Sequence, residues 1–406
     1  MNRMPFRLGL LLLIIIVVVA GVLYVTYSRT SPRRLVPVHA TSYQPSAPAE
    51  IEAYPLLADT TIRNVILFIG DGMGISQIAA TRTMVYGPNG RLHLERLPVT
   101  GLVCTHNADD LITKSDAAAT ALATGFKTRN GMIGLTPDSA KVLSIMEAAR
   151  DHGMATGLAT TSIITDATPA AFAAHVPRRN DHEIIAIQLL ENRIDVLLAG
   201  SKAYFIPKSQ PGSARTDEVD LIAKAKAEGY TFVETKQELQ AADGKRLLGL
   251  FKPAFYFTEK PEPSLAELTA KAIRTLNQNP HGFFLMAEQE NIDEGSHDNE
   301  LEYMAGQLKL FDDAVKVGID FALQDKQTLV MVLADHETGG LQIDAGRINK
   351  HTMQVVWTTT SHTGQPIPLF AFGPHALRFT GLKDNTDIPR LFAELLAIES
   401  FPRKFY

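Results

Sequence analysis

From residue 62 onward, apolar runs of strand length alternate with amphipathic stretches of helix length, and few architectures accommodate that rhythm. Runs at 64–69, 154–159, 283–287, 328–333 and 369–372 are short and dominated by apolar residues. Between them the pattern predicts helices after Ser76, over 142–152 with Gly153 as the stop, over 299–323, and near 388–398 at the end. Strands alternating with helices build parallel sheet, buried on both faces under helical layers. The expected fold is therefore α/β, with a doubly wound, mostly parallel central sheet and helices on both faces. In such a sheet, catalytic groups gather at the carboxyl ends of the strands.

The N-terminus obeys a different rule. Arg3 and Arg7 precede an unbroken apolar run over 8–25, whose 18 residues sit at the short end of what spans a bilayer. No small-x-small cleavage site follows closely, so residues 1–28 read as an uncleaved signal anchor, with a long signal peptide as the alternative. Arg29, Arg33 and Arg34 flank the other side, so charge alone does not set orientation. An exported protein is expected, tethered at the periplasmic or extracellular face, or secreted if the segment is cleaved. Residues 29–60 are rich in Pro, Ser and Ala without periodicity and read as a tether. The catalytic domain is expected over 61–406, with a more charged, weakly patterned insertion or cap near 201–262.

A formal net charge of -5 over 406 residues offers no basic footprint for nucleic acid. The single cysteine, Cys104, excludes an intrachain disulfide and a thiolate metal site. Any metal must be held by His, Asp, Glu and hydroxyl groups.

Several segments supply such groups. The strand over 65–69 runs into Gly70-Asp71-Gly-Met-Gly74, placing an acid among glycines at a strand end. The strand over 328–333 ends in Ala334-Asp335-His336, a carboxylate and an imidazole that together suit zinc. The strand over 283–287 leads into Glu288 and then Asp293 and His297, whose four-residue spacing brings both to one metal if the segment coils. Ser115 opens the Ala-rich stretch 117–123, so its hydroxyl lies at a helix N-terminus, where free backbone N–H groups favour phosphate. Asp166-Ala-Thr168-Pro, Arg179 and Ser361-His362-Thr-Gly364 complete the set. Taken singly, each has a bland reading as a turn, an acidic loop or an N-cap.

In order, spacing and local sequence, these segments resemble the alkaline phosphatase family from residue 64 to the last helix, loosely over 201–263. The resemblance implies an alkaline-phosphatase-like fold and hydrolysis of small-molecule phosphate monoesters through a phosphoserine on Ser115, with an alkaline optimum. It implies two Zn2+ ions, one on Asp293, His297 and His362 and the other on Asp71, Asp335 and His336. One Mg2+ would share Asp71 and add Thr168 and Glu288, with Asp166 counted among the metal residues. Arg179 matches the arginine that grips the transferred phosphoryl group. A homodimer is one assembly open to such a chain.

Some positions depart from the family pattern. Ser115 is flanked by Lys114 and Asp116 where familiar bacterial members have Asp before and Ala after, and Glu294 replaces a lysine that helps hold phosphate. Among rival activities, sulfatases lack support because Ser115-Asp-Ala-Ala-Ala is not their motif. Phosphodiesterases and nucleotide pyrophosphatases use the same metal core; Arg179 and the complete magnesium set favour monoesters. A catalytically silent, membrane-tethered binding protein is the alternative outside the enzymes. Of the remaining histidines, His175 follows an apolar helix and reads as packing, the others as surface or turn residues.

Overall fold

The computed structural model describes residues 38–45, 51–252 and 261–405. The expected N-terminal helix over 8–25 lies outside the described residues, as do 29–37 and 46–50 of the tether. Among the described residues, no helix is long and apolar enough to cross a membrane.

Among the described residues, ten strands form one sheet: β1 (Asn64–Gly70), β2 (Val99–Cys104), β3 (Ala155–Ile163), β4 (Val196–Gly200), β5 (Thr231–Val233), β6 (Leu247–Phe251), β7 (Phe283–Gln289), β8 (Thr328–Leu333), β9 (Ile367–Phe372) and β10 (Gly381–Asp384). Their spatial order is β10-β2-β9-β8-β1-β7-β3-β4-β6-β5. Only β9 opposes its neighbours; every other pairing is parallel. The expected doubly wound, mostly parallel sheet is what the chain builds. β1, β7 and β8 are buried at every position, which is why they read as continuous apolar runs.

Both faces are covered. On one, the 25-residue helix Leu301–Asp325 lies across the sheet, with Phe311 edge-on to Phe68 at 6.2 Å between ring centroids. Gly318 permits this approach, since a Cβ there would fall 2.6 Å from the Phe68 ring. On the other, helices Ser115–Thr124, Ile145–Asp151 and Asp387–Leu395 pack together, and Phe392 meets Phe284 of β7 at 5.7 Å. Phe68 sits in register with Ala287 and Phe284 with Val65, so the two aromatic contacts fall on opposite faces.

The segment expected as an insertion or cap, 201–262, contributes β5 and β6 to one edge of the sheet. After β8 the chain forms an antiparallel hairpin, Leu341–Arg347 with Thr352–Trp357. At its base, Glu337–Thr338 pairs with His362–Thr363, which brings the regions of β8 and β9 that carry His336 and His362 side by side.

Candidate metal and phosphoryl site

Four adjacent parallel strands, β8-β1-β7-β3, end on the same edge of the sheet, and their carboxyl ends deliver most of the expected residues. Asp71 follows β1, Asp335 and His336 follow β8, and Glu288 closes β7. The short helix Asn291–His297 after β7 carries Asp293 and His297. Asp166 and Thr168 follow β3, while His362 arrives from the start of the reversed strand β9. The glycine after Asp71 is required here: Gly72 has φ +72, and a Cβ on it would stand 2.7 Å from Asp293 Oδ1.

The deepest cluster surrounds His336. Its Nε2 lies 3.2 Å from Asp335 Oδ2, 3.3 Å from Ser115 Oγ and 3.5 Å from Asp71 Oδ1. Burial lowers His336 to about 4, so the ring is neutral. Burial, reinforced by the charges of Asp335 and Asp293, pushes Asp71 well above the usual carboxylate range; burial, then the charge of Asp293, raises Asp335 to about 6. Both Asp71 Oδ1 and Asp335 Oδ2 are buried without a hydrogen bond, although Asp335 Oδ1 accepts from the backbone N–H of Gly72 and of His336. Two unpartnered carboxylate oxygens, a neutral imidazole and a hydroxyl aimed at one space are a donor set for a cation.

Thr168 Oγ1 is also buried without a hydrogen bond. Nearby, Glu288 is pushed up to about 8 by burial, and its Oε2 accepts from Thr160 Oγ1 at 2.6 Å. These donors are all oxygens, as a hard cation prefers.

Nearer the mouth, Asp293, His297 and His362 form a second donor cluster. His297 Nδ1–H donates to Thr360 O at 2.8 Å and His362 Nδ1–H to Thr113 O at 2.9 Å. These carbonyls fix each Nδ1 as the donor and turn the two Nε2 atoms toward each other at 3.1 Å. Asp293 Oδ2 stands 3.1 Å from His297 Nε2 and Oδ1 3.8 Å from His362 Nε2. Burial would raise Asp293, yet the bond from His297 and the neighbouring imidazoles hold it below the ordinary range. His297 is raised to about 9, chiefly by that bond. Asp293 also joins Asp71 and His336 in a donor group, so the two clusters adjoin.

Ser115 is the first residue of its helix, beside a cavity of about 440 Å³ that Lys114, Arg179, Asp293 and His362 also line. Asn130 holds the approach to it, accepting from Lys114 N at 2.8 Å and donating to Ile112 O at 3.2 Å. Arg179 Nη2 meets Asp166 Oδ1 at 2.8 Å, and Nη1 meets Asp116 Oδ2 at 3.3 Å. Asp116, fully buried, accepts from Gly131 N at 2.6 Å. Its carboxylate is therefore spent on orienting Arg179 rather than turned on a bound dianion. Asp166 starts the helix Ala167–Ala171 with the same oxygen that meets Arg179, and accepts from Ser162 Oγ at 3.1 Å on the other.

Three contributors escaped sequence reasoning. Glu290 lines the cavity and is pushed well above its ordinary range by burial and by Asp166, Glu294 and Glu288. Thr338 donates to Asp293 Oδ1 and sits 3.3 Å from His336 Nδ1. Asn130 is the third. The only signal for Glu290 was its place two residues beyond Glu288.

The alkaline phosphatase family model matches residues 62–353 and 341–398. Alkaline phosphatase 4 of Bacillus subtilis is 35% identical, over 82% of this chain and 89% of its own length. The Escherichia coli alkaline phosphatase is 33% identical, over 82% and 85%. Among solved structures, alkaline phosphatase from the Antarctic bacterium TAB5 superposes with a TM-score of 0.75 at 32% identity, over 85% of this chain and all of that one.

Proposed function

This chain belongs to the alkaline phosphatase family and is a phosphoric monoester hydrolase, and from that premise we propose that Ser115 carries the phosphoryl group between ester and water at a centre of two zinc ions and one magnesium ion. The observation that carries the reading is the convergence of Asp71 Oδ1, Asp335 Oδ2, Ser115 Oγ and a neutral His336 Nε2, with the two carboxylate oxygens buried and unpartnered. Asp71, Asp335 and His336 would hold one zinc, and Asp293, His297 and His362 the other. Asp71, Thr168 and Glu288 would hold magnesium, with Asp166 beside it.

When bound, the ions offset charge developing on the phosphoryl oxygens and favour loss of a proton from the attacking hydroxyl or water. Ser115, at its helix N-terminus, directs Oγ at phosphorus while backbone N–H groups and the Arg179 guanidinium receive phosphoryl oxygens. Oγ bonds to phosphorus as the ester oxygen leaves and takes up a proton, giving phosphoserine. Water then attacks the phosphoserine from the vacated side, and Ser115 Oγ leaves with inorganic phosphate released. Deprotonation of both attacking groups becomes more complete as pH rises, so an alkaline optimum is expected.

We further infer export and membrane tethering from the apolar run at 8–25, with cleavage of that run as the route to a secreted form, and a homodimer as the assembly. Fractionation and sizing of the purified protein test these.

The activity itself is tested on a soluble form beginning near Thr60, assayed with zinc and magnesium on p-nitrophenyl phosphate and bis-p-nitrophenyl phosphate. Strong monoester preference that Ser115→Ala removes is the expected result. A diester preference would replace the reading with that of a phosphodiesterase.

A further inference from the structure

We propose that His175, held by Glu147, is a positioning residue for Arg179, acting through the backbone of residues 131–134 to hold the guanidinium over the phosphoryl site. The proposal rests on the phosphate-gripping role given to Arg179 above.

His175 and Glu147 touch none of the groups that would meet substrate or metal, and their side chains are 7% and 4% exposed. His175 Nε2 lies 3.0 Å from Glu147 Oε1, and Nδ1 lies 2.9 Å from Gly134 O. A carbonyl only accepts, so Nδ1 carries a proton and donates it to Gly134 O, while Nε2 faces the Glu147 carboxyl. Glu147 is fixed in turn: its Oε2 accepts from Ser144 N at 2.8 Å, closing a capping box on the helix Ile145–Asp151. Burial would raise the Glu147 carboxyl, but the bonds from His175 and Ser144 hold it below its ordinary range. An apolar pair could fill this space at least as stably. What an apolar pair could not do is grip a carbonyl.

The gripped carbonyl begins a path to Arg179. Gly134 O also accepts from Val142 N at 3.1 Å, so its direction is set from two sides. Gly134 has φ +63, and a Cβ on it would strike Ala174 O and His175 Nδ1 at 2.2 and 2.5 Å. Its N–H donates to Thr120 Oγ1 at 3.1 Å, on the helix that Ser115 opens. One residue back, Ile133 and Val176 exchange two backbone hydrogen bonds of 3.0 Å. Gly131 O then accepts from Arg179 N at 2.8 Å, while Gly131 N donates to Asp116, the residue after Ser115. This short ladder therefore runs along the nucleophile's helix, with Asp116 holding the arginine end and His175 the other. A misplacement of even an ångström in a group that binds the reacting phosphoryl is costly to catalysis.

Two near-isosteric replacements separate the ring nitrogens. Asparagine sets its amide donor near Nδ1 and keeps the grip on Gly134; glutamine sets it near Nε2 and keeps only Glu147. The measurement is the competitive inhibition constant of inorganic phosphate, with kcat, KM and zinc content, on the purified metal-loaded enzyme. Arg179→Ala should raise that constant on the order of 100-fold, the loss of a charged two-pronged contact. His175→Gln should raise it roughly 10-fold at unchanged zinc content, and His175→Asn less than about 2-fold. Added to Arg179→Ala, His175→Gln should cause no further rise.

Equal effects of the two replacements, or a His175→Gln effect that persists without Arg179, would overturn the proposal and leave His175 a packing residue. A phosphate constant unmoved by Arg179→Ala would instead overturn the role given to Arg179. If His175→Gln does not fold, His175→Phe combined with Glu147→Gln serves in its place: no donor to Gly134 O remains and no unpaired carboxylate is left, and the same roughly 10-fold rise is expected. No rise in that folded variant would overturn the proposal as well.

Discussion

At the mouth of the site Asp293, His297 and His362 satisfy one another, whereas deeper in Asp71 and Asp335 share a space with only a neutral imidazole and a serine hydroxyl. The mouth cluster pairs a carboxylate held low with an imidazole raised to about 9, so it balances its own charge and keeps some contact with solvent. The deep cluster has no cation of its own, and burial drives its carboxylates up. The same residue types thus make one cluster that stands alone and one whose charge balance must come from outside. Binding capacity and folding stability are opposed in the second and not in the first.

Removing one member from each cluster is the strongest attack on this contrast. Asp335→Asn should lower kcat/KM on the order of 1000-fold, yet raise the stability of metal-free protein at pH 8 by about 2 kcal/mol, since a carboxylate forced to ionise while buried is gone. His297→Asn should also impair turnover, but it should cost the metal-free protein about 1 kcal/mol, because Asp293 loses its partner. Urea unfolding in EDTA reads both. Stability changes of the same sign in the two variants would break the comparison.

Chelation adds a pH dependence. Asp71, Asp335 (about 6) and Glu288 (about 8) are raised, so the metal-free fold binds protons that the unfolded chain releases from about pH 4 upward. Metal-free stability should therefore fall as pH rises from about 6.5 to 8, above the range in which the depressed His336 and His362 act in the opposite sense. His297, raised to about 9, adds stability that is complete below about 6.5 and lost through 9, in the same direction. The drop in Tm on adding EDTA should be larger at pH 9 than at pH 6 by calorimetry. An equal drop would mean that the deep carboxylates carry no excess charge.

The smallest effect belongs to the solvent-lined mouth. Glu294 sits on the rim of the cavity with much of its surface in solvent, and the cavity wall and Asp293 together raise its carboxyl. Glu294→Lys should tighten inorganic phosphate by about 3-fold, as expected of a screened surface charge. Little change in metal content should accompany it.

Much of this arrangement was legible in the chain because buried parallel strands are apolar throughout and break off at an acid. Asp71, Glu288, Asp335 and His336 stood out for that reason. Helix ends such as Leu301–Asp325, against an expected 299–323, differed by two residues, where capping rather than apolar period decides. The edge strand β5, three residues long and only partly buried, reads as a short strand candidate over 230–234, but the charged segment around it reads as an insertion or cap rather than as an edge of the sheet. What could not be read were contacts between distant segments. Asp116 and Arg179 are 63 residues apart, and nothing in the sequence around either residue points to the bond between them. His175, read as packing, uses both ring nitrogens, a fact that lies in directions and not in residue type.

The most direct test of the account is an acid quench of the zinc- and magnesium-loaded enzyme during turnover of a monoester, followed by mass spectrometry of its peptides. A single added phosphoryl group on the peptide containing Ser115, absent from Ser115→Ala, is the predicted result. Turnover that proceeds with no phosphorylated peptide, or that survives Ser115→Ala, would contradict it.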